Sequence, residues 1–568
     1  MSEFPVRSVK YVFFLYIFVQ VSWLNAQPVS TRSDIEIKEL ATSNSSSIRV
    51  IYDPSTSNLF TLENDGDIKR VNFASDSNSV TFTTVYRTAN HGLTRPLGME
   101  FSSDGTLFLI GNETNQSNNQ LGTGVIVKGV PVSSGSEDRT WSIIAQTVEY
   151  SYGFTYNHRM SGIAIDPNGE YIYVNSGART DHGEEREGLR EVGLTSIILK
   201  LPINGDNIIL QDDREWLRTK GYLFAEGIRN DFDFAYNAIG DLFSVENSGD
   251  RDDPEEMNWI REGHHYGFPW RIGDNNTPQQ YSPYDPMNDP LLNPNTWGGG
   301  NLYATFYNDP DYPLSPEGVS FTDPVMNEGP DADKFRDTVS GDPKDASNLS
   351  VAIGTFTTHR SPNGIVFDKD SVLVEDLAGG AFVISLNASS LAFPLGDTGE
   401  DLLHMTLTKN GEESYTAHTT KLVTGFNAPL GIELVGNRLF IIETGLWSGN
   451  NNHKLWEIIL PTEETVDVET ESKLPSVFEL LQNYPNPFNT NTKIKFAIPP
   501  VPSGKSSFVN LKVYNVLGYE VKTLVNENKP AGTYDVEFDA SSLPSGVYFY
   551  KLDIPGQSPI TRKMVLMK

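Results

Sequence analysis

Alternating apolar and polar positions, broken at short intervals by Asp, Asn and Gly, run along most of the chain. Alternation with period two builds a strand with one buried face, and the polar break closes a hairpin. The pattern recurs as RVIYDPSTSNLFTL (49–62), PLGMEFSSDGTLFLI (96–110), SGIAIDPNGEYIYV (161–174), RNDFDFAYNAIGDLFSV (229–245), PNGIVFDKDSVLV (362–374) and PLGIELVGNRLFII (429–442). No such hairpin buries its own faces, so the six copies must bury one another. A radial array does this while leaving only short, protected edges. The repeat therefore predicts an all-β chain whose main domain, residues 35–461, is a six-bladed β-propeller. Between Asp233 and Gly364 the spacing nearly doubles, and residues 250–350 are dense in Asn, Asp, Pro and Gly without another copy. This stretch reads as a long insertion near the fourth blade and not as a seventh blade. Long ordered loops in compact domains tend to carry function.

The pattern changes at both ends. Residues 1–26 combine Arg7 and Lys10 with an apolar run from Tyr11 to Val19 that continues to Trp23, the layout of a secretory signal peptide. That run is short for a membrane span, and no later segment is apolar for long enough, so no transmembrane segment is expected in the mature chain. Residues 462–476 are acidic and lack aromatics, as a solvated linker does. From Val477 to Lys568 short alternating strands return, which predicts a small Ig-like β-sandwich.

Composition narrows the partners. Asp and Glu number 74 against 43 Lys and Arg, a formal charge of −31, and no basic run appears, so a nucleic-acid partner is excluded on electrostatic grounds. Cysteine is absent, which removes disulfides, thiol nucleophiles and Cys-ligated metals. Ligands of propellers gather over the central channel, where loops from all blades converge. Three blade entrances carry suitable polar residues there: Asn90-His91-Gly92, Asn157-His158-Arg159 and Ile228-Arg229-Asn230. A neutral His can act as a general base, and Arg offers a fixed charge to a carboxylate or oxyanion. The acidic stretches 250–256 and 331–345 lack EF-hand spacing and read as solvated loops, and His182 and His264-His265 lie in no metal motif.

Two resemblances sharpen this picture. The segments NYPNPFN, LKVYNVLGYEVKTLV, AGTYDVEFDASSLPSGVYFYKL and KMVLMK resemble the C-terminal sorting domain of the type IX secretion system. The likeness implies export by the type IX secretion machinery, with the mature protein secreted or at the cell surface. Arg229-Asn230, the strand 241–246, Asn247-Ser248-Gly249, Glu256-Met257-Asn258 and Tyr266-Gly267-Phe268-Pro269-Trp270 resemble the soluble glucose/sorbosone dehydrogenase family, over residues near 45 to 460. These are six-bladed propellers that use pyrroloquinoline quinone (PQQ). The resemblance implies an oxidoreductase that oxidises a sugar hydroxyl and passes electrons to an external acceptor. His158 then matches the catalytic base, Arg229 the residue that stabilises the reduced quinone oxygen, and Asn230 a neighbouring cofactor contact. His91 falls near a further cofactor position. Calcium would sit on the backbone carbonyls of Ser248 and Gly249. The sequence departs from the family in the fifth and sixth blades, where cations usually meet the cofactor's carboxylates: it offers Arg360, then Ala428-Pro429 and Ile442-Glu443-Thr444. That departure keeps open a non-catalytic propeller that binds carbohydrate or protein. A calcium-dependent lactonase is the third option, but no set of acidic and Asn ligands recurs at the blade entrances.

Overall fold

The computed structural model describes residues 27–43, 46–74, 79–152, 158–292, 305–386, 395–445, 453–462, 478–483, 486–499, 507–529, 532–555 and 559–568. The expected signal peptide, most of the expected linker and Asn157 lie outside them. The chain divides into two compact units, Met1–Glu463 and Glu464–Lys568.

The first unit is a six-bladed propeller. Its innermost strands are Ser47–Asp53, Pro96–Phe101, Ile163–Ile165, Asp231–Tyr236, Pro362–Phe367 and Pro429–Val435. Each packs against the next, and the sixth packs against the first, so the ring is closed. The closure is shared between the chain ends: Glu36–Ser43 pairs antiparallel with His453–Ile459 and completes the sixth blade. A sheet ring joined this way exposes no long unpaired edge.

The repeat's glycine has a steric cause. A Cβ on Gly98 would stand 2.5 Å from the carbonyl oxygen of Ser161 in the next blade, and one on Gly431 would stand 3.0 Å from the Cα of Arg49. Innermost strands approach so closely that no side chain fits between them. The first and fourth blades, which face each other across a six-bladed ring, carry Arg49 and Asp233 instead of glycine. These two residues pair across the channel at 3.2 Å. Arg49 also donates to the carbonyls of Leu97, Ser161 and Phe232, so its guanidinium bridges four blades and plugs the channel.

The fourth blade is one strand shorter than the first, third and sixth. Among the described residues it has three, Asp231–Tyr236, Leu242–Glu246 and Glu256–Ile260. After Ile260 the chain turns at Gly263, in the left-handed region, and lays Tyr266 and Phe268 along the blade-three edge through Tyr266 N–H to Glu226 O and Phe268 N–H to Gly227 O. A long stretch follows before the innermost strand of the fifth blade. Part of it, Met326–Pro330, adds to the outer edge of the fifth blade by pairing parallel with Ser414–Thr424.

The second unit is a β-sandwich of a three-stranded sheet (Glu479–Leu480, Asn491–Ile498, Gly532–Asp539) and a four-stranded one (Ser507–Asn515, Glu520–Lys529, Gly546–Asp553, Ile560–Leu566). Alternate residues of both sheets, including Ile494, Phe496, Val509, Leu511, Tyr550 and Leu552, fill a single core. No helix among the described residues is long and apolar enough to cross a membrane.

Candidate active site at one end of the channel

His158 and Arg229 sit just before the innermost strands of blades three and four, at the same end of the propeller. The two entrances are tied together, because Ala178 donates its N–H to the carbonyl of Arg229 at 2.6 Å. Gly177 lies against His158 so tightly that a Cβ there would approach the His158 backbone to 2.8 Å. His158 is 7 % exposed, and burial together with the Arg229 charge holds its imidazole well below its usual pKa. Both effects favour the neutral ring, which can still accept a proton but is a weaker base than a free imidazole.

Arg229 is held from several sides. Its Nη2 meets Asp181 Oδ1 at 2.7 Å, its Nε donates to Asp181 O, and its Nη1 donates to Asn247 O at 3.0 Å. Its backbone N–H donates to Glu246 Oε1 at 2.6 Å. Asn230 donates to Asn247 Oδ1 at 3.0 Å, so both members of the Arg-Asn pair are anchored to the same residue. The sequence reading missed Asp181, the centre of this group. Its other oxygen meets His182 Nδ1 at 3.0 Å and accepts from Asp250 N–H at 3.1 Å. Although burial opposes ionisation, Arg229 and His182 hold the Asp181 carboxyl well below the usual range. Glu184 and Asp181 in turn raise the pKa of His182 against burial. The His182 ring stacks on Phe306 of the insertion, 3.8 Å between centroids, and Tyr312 reaches the His182 carbonyl with its hydroxyl. The insertion thus covers the flank of the Asp181–His182 pair. Tyr266 lies beside the Arg229 entrance, but it is buried and its hydroxyl donates to Trp259 O at 2.6 Å.

Ser248 and Gly249 follow directly. Ser248 Oγ lies 3.4 Å from Thr358 Oγ1, and a Cβ on Gly249 would come within 2.9 Å of the Asp181 carboxylate, so glycine is needed for Asp181 to seat. No group of three or more His, Cys, Asp or Glu side chains among the described residues could hold a metal. A cation here would depend on carbonyl oxygens. His91 is placed elsewhere: its Nε2 lies 2.9 Å from Gly66 O, its Nδ1 accepts from Leu93 N–H, and its ring packs edge-on to Trp141. Both nitrogens serve the junction of blades one and two, and no described interaction joins His91 to the His158–Arg229 group.

Arg360, the cation noted in the fifth blade, is fully buried and pairs with Asp397 and Asp401, with Lys421 at 3.2 and 3.1 Å from the same two carboxylates. Arg336 pairs with Asp252, and Arg251 with Asp253 and Asp289. Cations at this end are thus matched by the chain's own carboxylates.

At the other end of the channel, beyond the Arg49 plug, lies a cavity of about 490 Å³ lined by the later halves of the innermost strands. Glu100, Asp233 and Glu433 face it with Lys369. Burial and mutual repulsion push Glu100 up to about 7 and Glu433 well above the ordinary range.

Residues 45–299 match the Glucose / Sorbosone dehydrogenase family model. This range covers His158, Asp181, Arg229 and the first four blades. The matched range is similar to a glucose/sorbosone dehydrogenase domain. The match stops before the fifth and sixth blades, where the cation pattern also departs. Residues 482–567 match the Secretion system C-terminal sorting domain. Among solved structures, the chain is similar to the apo form of the soluble aldose sugar dehydrogenase of Escherichia coli, at 12% identity over 75% of this chain and 99% of that one, with a TM-score of 0.45. It is also similar to the PQQ-bound aldose sugar dehydrogenase of Streptomyces coelicolor, at 15% identity over 76% and 99%, TM-score 0.41. A third is the holo PQQ domain of pyranose dehydrogenase from Coprinopsis cinerea, at 11% identity over 76% and 97%, TM-score 0.47. No curated protein matches.

Proposed function

We propose that the protein is a quinone-dependent dehydrogenase of aldose-type sugars, delivered to the cell surface or beyond by the type IX machinery. The observation that carries this reading is a neutral, buried His158 beside an Arg229 whose position is fixed by Asp181, Glu246 and Asn247. His158 accepts the proton of the sugar hydroxyl. Its low basicity keeps it unprotonated until the substrate arrives, and the adjacent Arg229 makes the imidazolium a short-lived state that hands its proton on. The Arg229 guanidinium provides a preorganised positive charge that needs no rearrangement during the reaction. Asn230 presents its amide beside it.

This donor set fits the reacting end of PQQ, which when bound would supply the hydride acceptor. Arg229 and Asn230 would hold it, with the Ser248 and Gly249 carbonyls available to calcium. An external acceptor takes the electrons. The 1–26 signal, the 35–461 propeller, the 462–476 linker and the 477–568 sorting domain fit such a route: inner-membrane export, then sorting by the C-terminal sandwich.

A second reading is favoured by the paired cations. Arg360, Lys421, Arg251 and Arg336 are already neutralised, and a tricarboxylate placed among them without free positive charge meets a steep desolvation cost. A carbohydrate-binding propeller has no such requirement. Calorimetric titration of the full chain with PQQ and calcium, followed by dye reduction over a panel of aldoses, separates the two. Cofactor binding with sugar-dependent dye reduction supports the dehydrogenase. Sugar binding with neither cofactor uptake nor dye reduction supports the binding propeller.

A further inference from the structure

Beyond the Arg49 plug the channel carries acids at a level that is otherwise apolar. Two positions after the residues equivalent to the repeat's glycine, the first blade has Ile51 and the third, fourth and fifth have Ala164, Ala235 and Val366. The second and sixth blades have Glu100 and Glu433 there. Two steps along a strand return a side chain to the same face, so these residues share one level of the channel, just past Arg49. All of them line the cavity of about 490 Å³.

The two glutamates lack partners. Among the described residues Glu433 accepts no hydrogen bond and forms no ion pair, and Glu100 has only the Phe101 N–H. Arg49 is spent on Leu97, Ser161, Phe232 and Asp233. The acids nearer the rim differ, because Asp166 accepts the Glu170 and Tyr171 N–H groups and Asp368 accepts the Gly379 N–H. Lys369 is exposed at the rim and makes no salt bridge among the described residues. Unpaired carboxylates deep in a protein are costly, and burial accordingly pushes Glu100 up to about 7 and Glu433 well above the ordinary range. A cation that reached them would replace those protons and bring the missing charge. A metal ion does not suit the place, because no group of three or more acidic side chains among the described residues could hold one. A larger cation with an apolar body does. The half-buried Ile51, Ile165, Val366 and Leu434 line the same cavity, whose volume falls in the range of small-molecule sites, about 300–1,000 Å³.

We propose that this cavity binds a small organic cation, a free alkyl amine whose ammonium meets Glu100 and Glu433 and whose chain lies along the apolar wall. The site is independent of the dehydrogenase reading, since the Arg49–Asp233 bridge stands between it and the His158 end.

The test is calorimetric titration of the full chain with hexylamine at about pH 8 and about 0.15 M salt, which screens the surface charge. Hexylamine should bind at a single site, and the neutral hexanol should not. Glu433→Gln and Glu100→Gln should each weaken hexylamine by about tenfold. Glu412→Gln, on the exposed surface, should leave it unchanged. Equal binding of hexanol overturns the proposal, because the cavity then takes any apolar guest. An equal loss in Glu412→Gln overturns it as well, since the amine then belongs to the field of an acidic surface. Displacement of hexylamine by an equal concentration of calcium would make the place a metal site, and no binding at all would leave the cavity to water; either result refutes the assignment. Hexylamine should also bind more tightly than a blocked lysine peptide, and the reverse order would give the cavity to a protein side chain instead of a free amine. Should both Glu variants fail to fold, Lys369→Ala decides. Removing a like charge from the rim should tighten hexylamine several-fold, and unchanged affinity refutes the site. None of these readouts needs quinone or sugar, so a failed cofactor titration counts against the dehydrogenase reading alone.

Discussion

The two ends of the propeller channel treat charge in opposite ways. At the His158 end, the cations around the site are paired with carboxylates: Arg229 with Asp181, His182 with Asp181 and Glu184, Arg360 with Asp397 and Asp401. At the Arg49 end, Glu100, Asp233 and Glu433 share the charges of Arg49 and Lys369. Pairing at the first end fixes side chains in one geometry, which suits a site that must be preorganised. Crowding at the second leaves carboxyl groups that respond to pH. The same fold, built from the same repeat, thus places paired cations at one end and an acid-lined cavity at the other. The separator is the Arg49–Asp233 bridge that replaces two glycines of the repeat.

The largest effect expected at the paired end is on turnover. If the quinone binds, His158→Gln should lower kcat by about 10²- to 10⁴-fold, the range for a lost general base. Thermal stability should change little, because Gln keeps much of the volume at a site already lined by polar groups. Steady-state dye reduction measures the first and calorimetry the second. Full kcat in His158→Gln would remove the base assignment while leaving the paired end intact.

Next comes the pair itself. Asp181→Ala leaves the Arg229 guanidinium buried without its carboxylate and His182 without one of its two anions. Loss of one partner from a buried pair costs about 3–5 kcal/mol. Urea unfolding of the full chain should show this loss in the propeller transition, and the sandwich transition should be unmoved. A cost below about 1 kcal/mol would place the pair in the class of exposed surface bridges and dissolve the contrast between the two ends.

How much of this could be read from the sequence depended on whether a residue belongs to the repeat. The six hairpins and the closed ring followed from period-two alternation and recurrent glycine, because close approach of the innermost strands imposes that glycine in most blades. His158, Arg229 and Asn230 were legible for the same reason, being at fixed offsets from the repeat. Asp181 was not, since it lies in an irregular loop between the strands Tyr171–Ser176 and Ile197–Pro202. The one available signal was an adjacent Asp-His followed by two Glu. His91 shows the reverse failure: its offset is right, but Gly66 and Leu93 consume its nitrogens. Arg360 was visible as a cation, yet its neutralisation comes from residues 37 and 41 positions later that only the blade-five fold brings together. In the sandwich, Glu520–Lys529 shows little alternation because its side chains are mostly exposed and polar, as suits the edge of its sheet.

A smaller effect tests how tightly the paired end is packed. Gly249→Ala would put a methyl within 2.9 Å of the Asp181 carboxylate, with its carbonyl at 3.2 Å. Overpacking of this kind costs about 1–3 kcal/mol. Part of the cost should appear as weaker seating of Asp181, so Gly249→Ala and Asp181→Ala should be non-additive in a double-mutant cycle. Additive losses would mean that Gly249 and Asp181 contribute independently.

The mildest prediction belongs to the acid-lined end. Glu433 and Glu100 are raised chiefly by burial, Glu433 also by Glu100 and both by Asp233, and Glu100 reaches about 7. A carboxyl whose pKa is raised on folding contributes stability that is complete below the unfolded pKa, near 4, and lost as pH rises through the folded value. One proton held this way changes stability by about 1 kcal/mol per pH unit between about pH 5 and about pH 7. Glu433→Gln removes a buried acid that holds a proton in the folded chain, so it should flatten that decline. Urea midpoints measured across this range for wild type and Glu433→Gln give the difference. The change should leave the His158 end untouched, because Arg49 stands between them: sugar-dependent turnover, if present, should keep its pH profile. A shifted profile would mean that the plug transmits charge between the two ends, and their electrostatic separation would no longer hold.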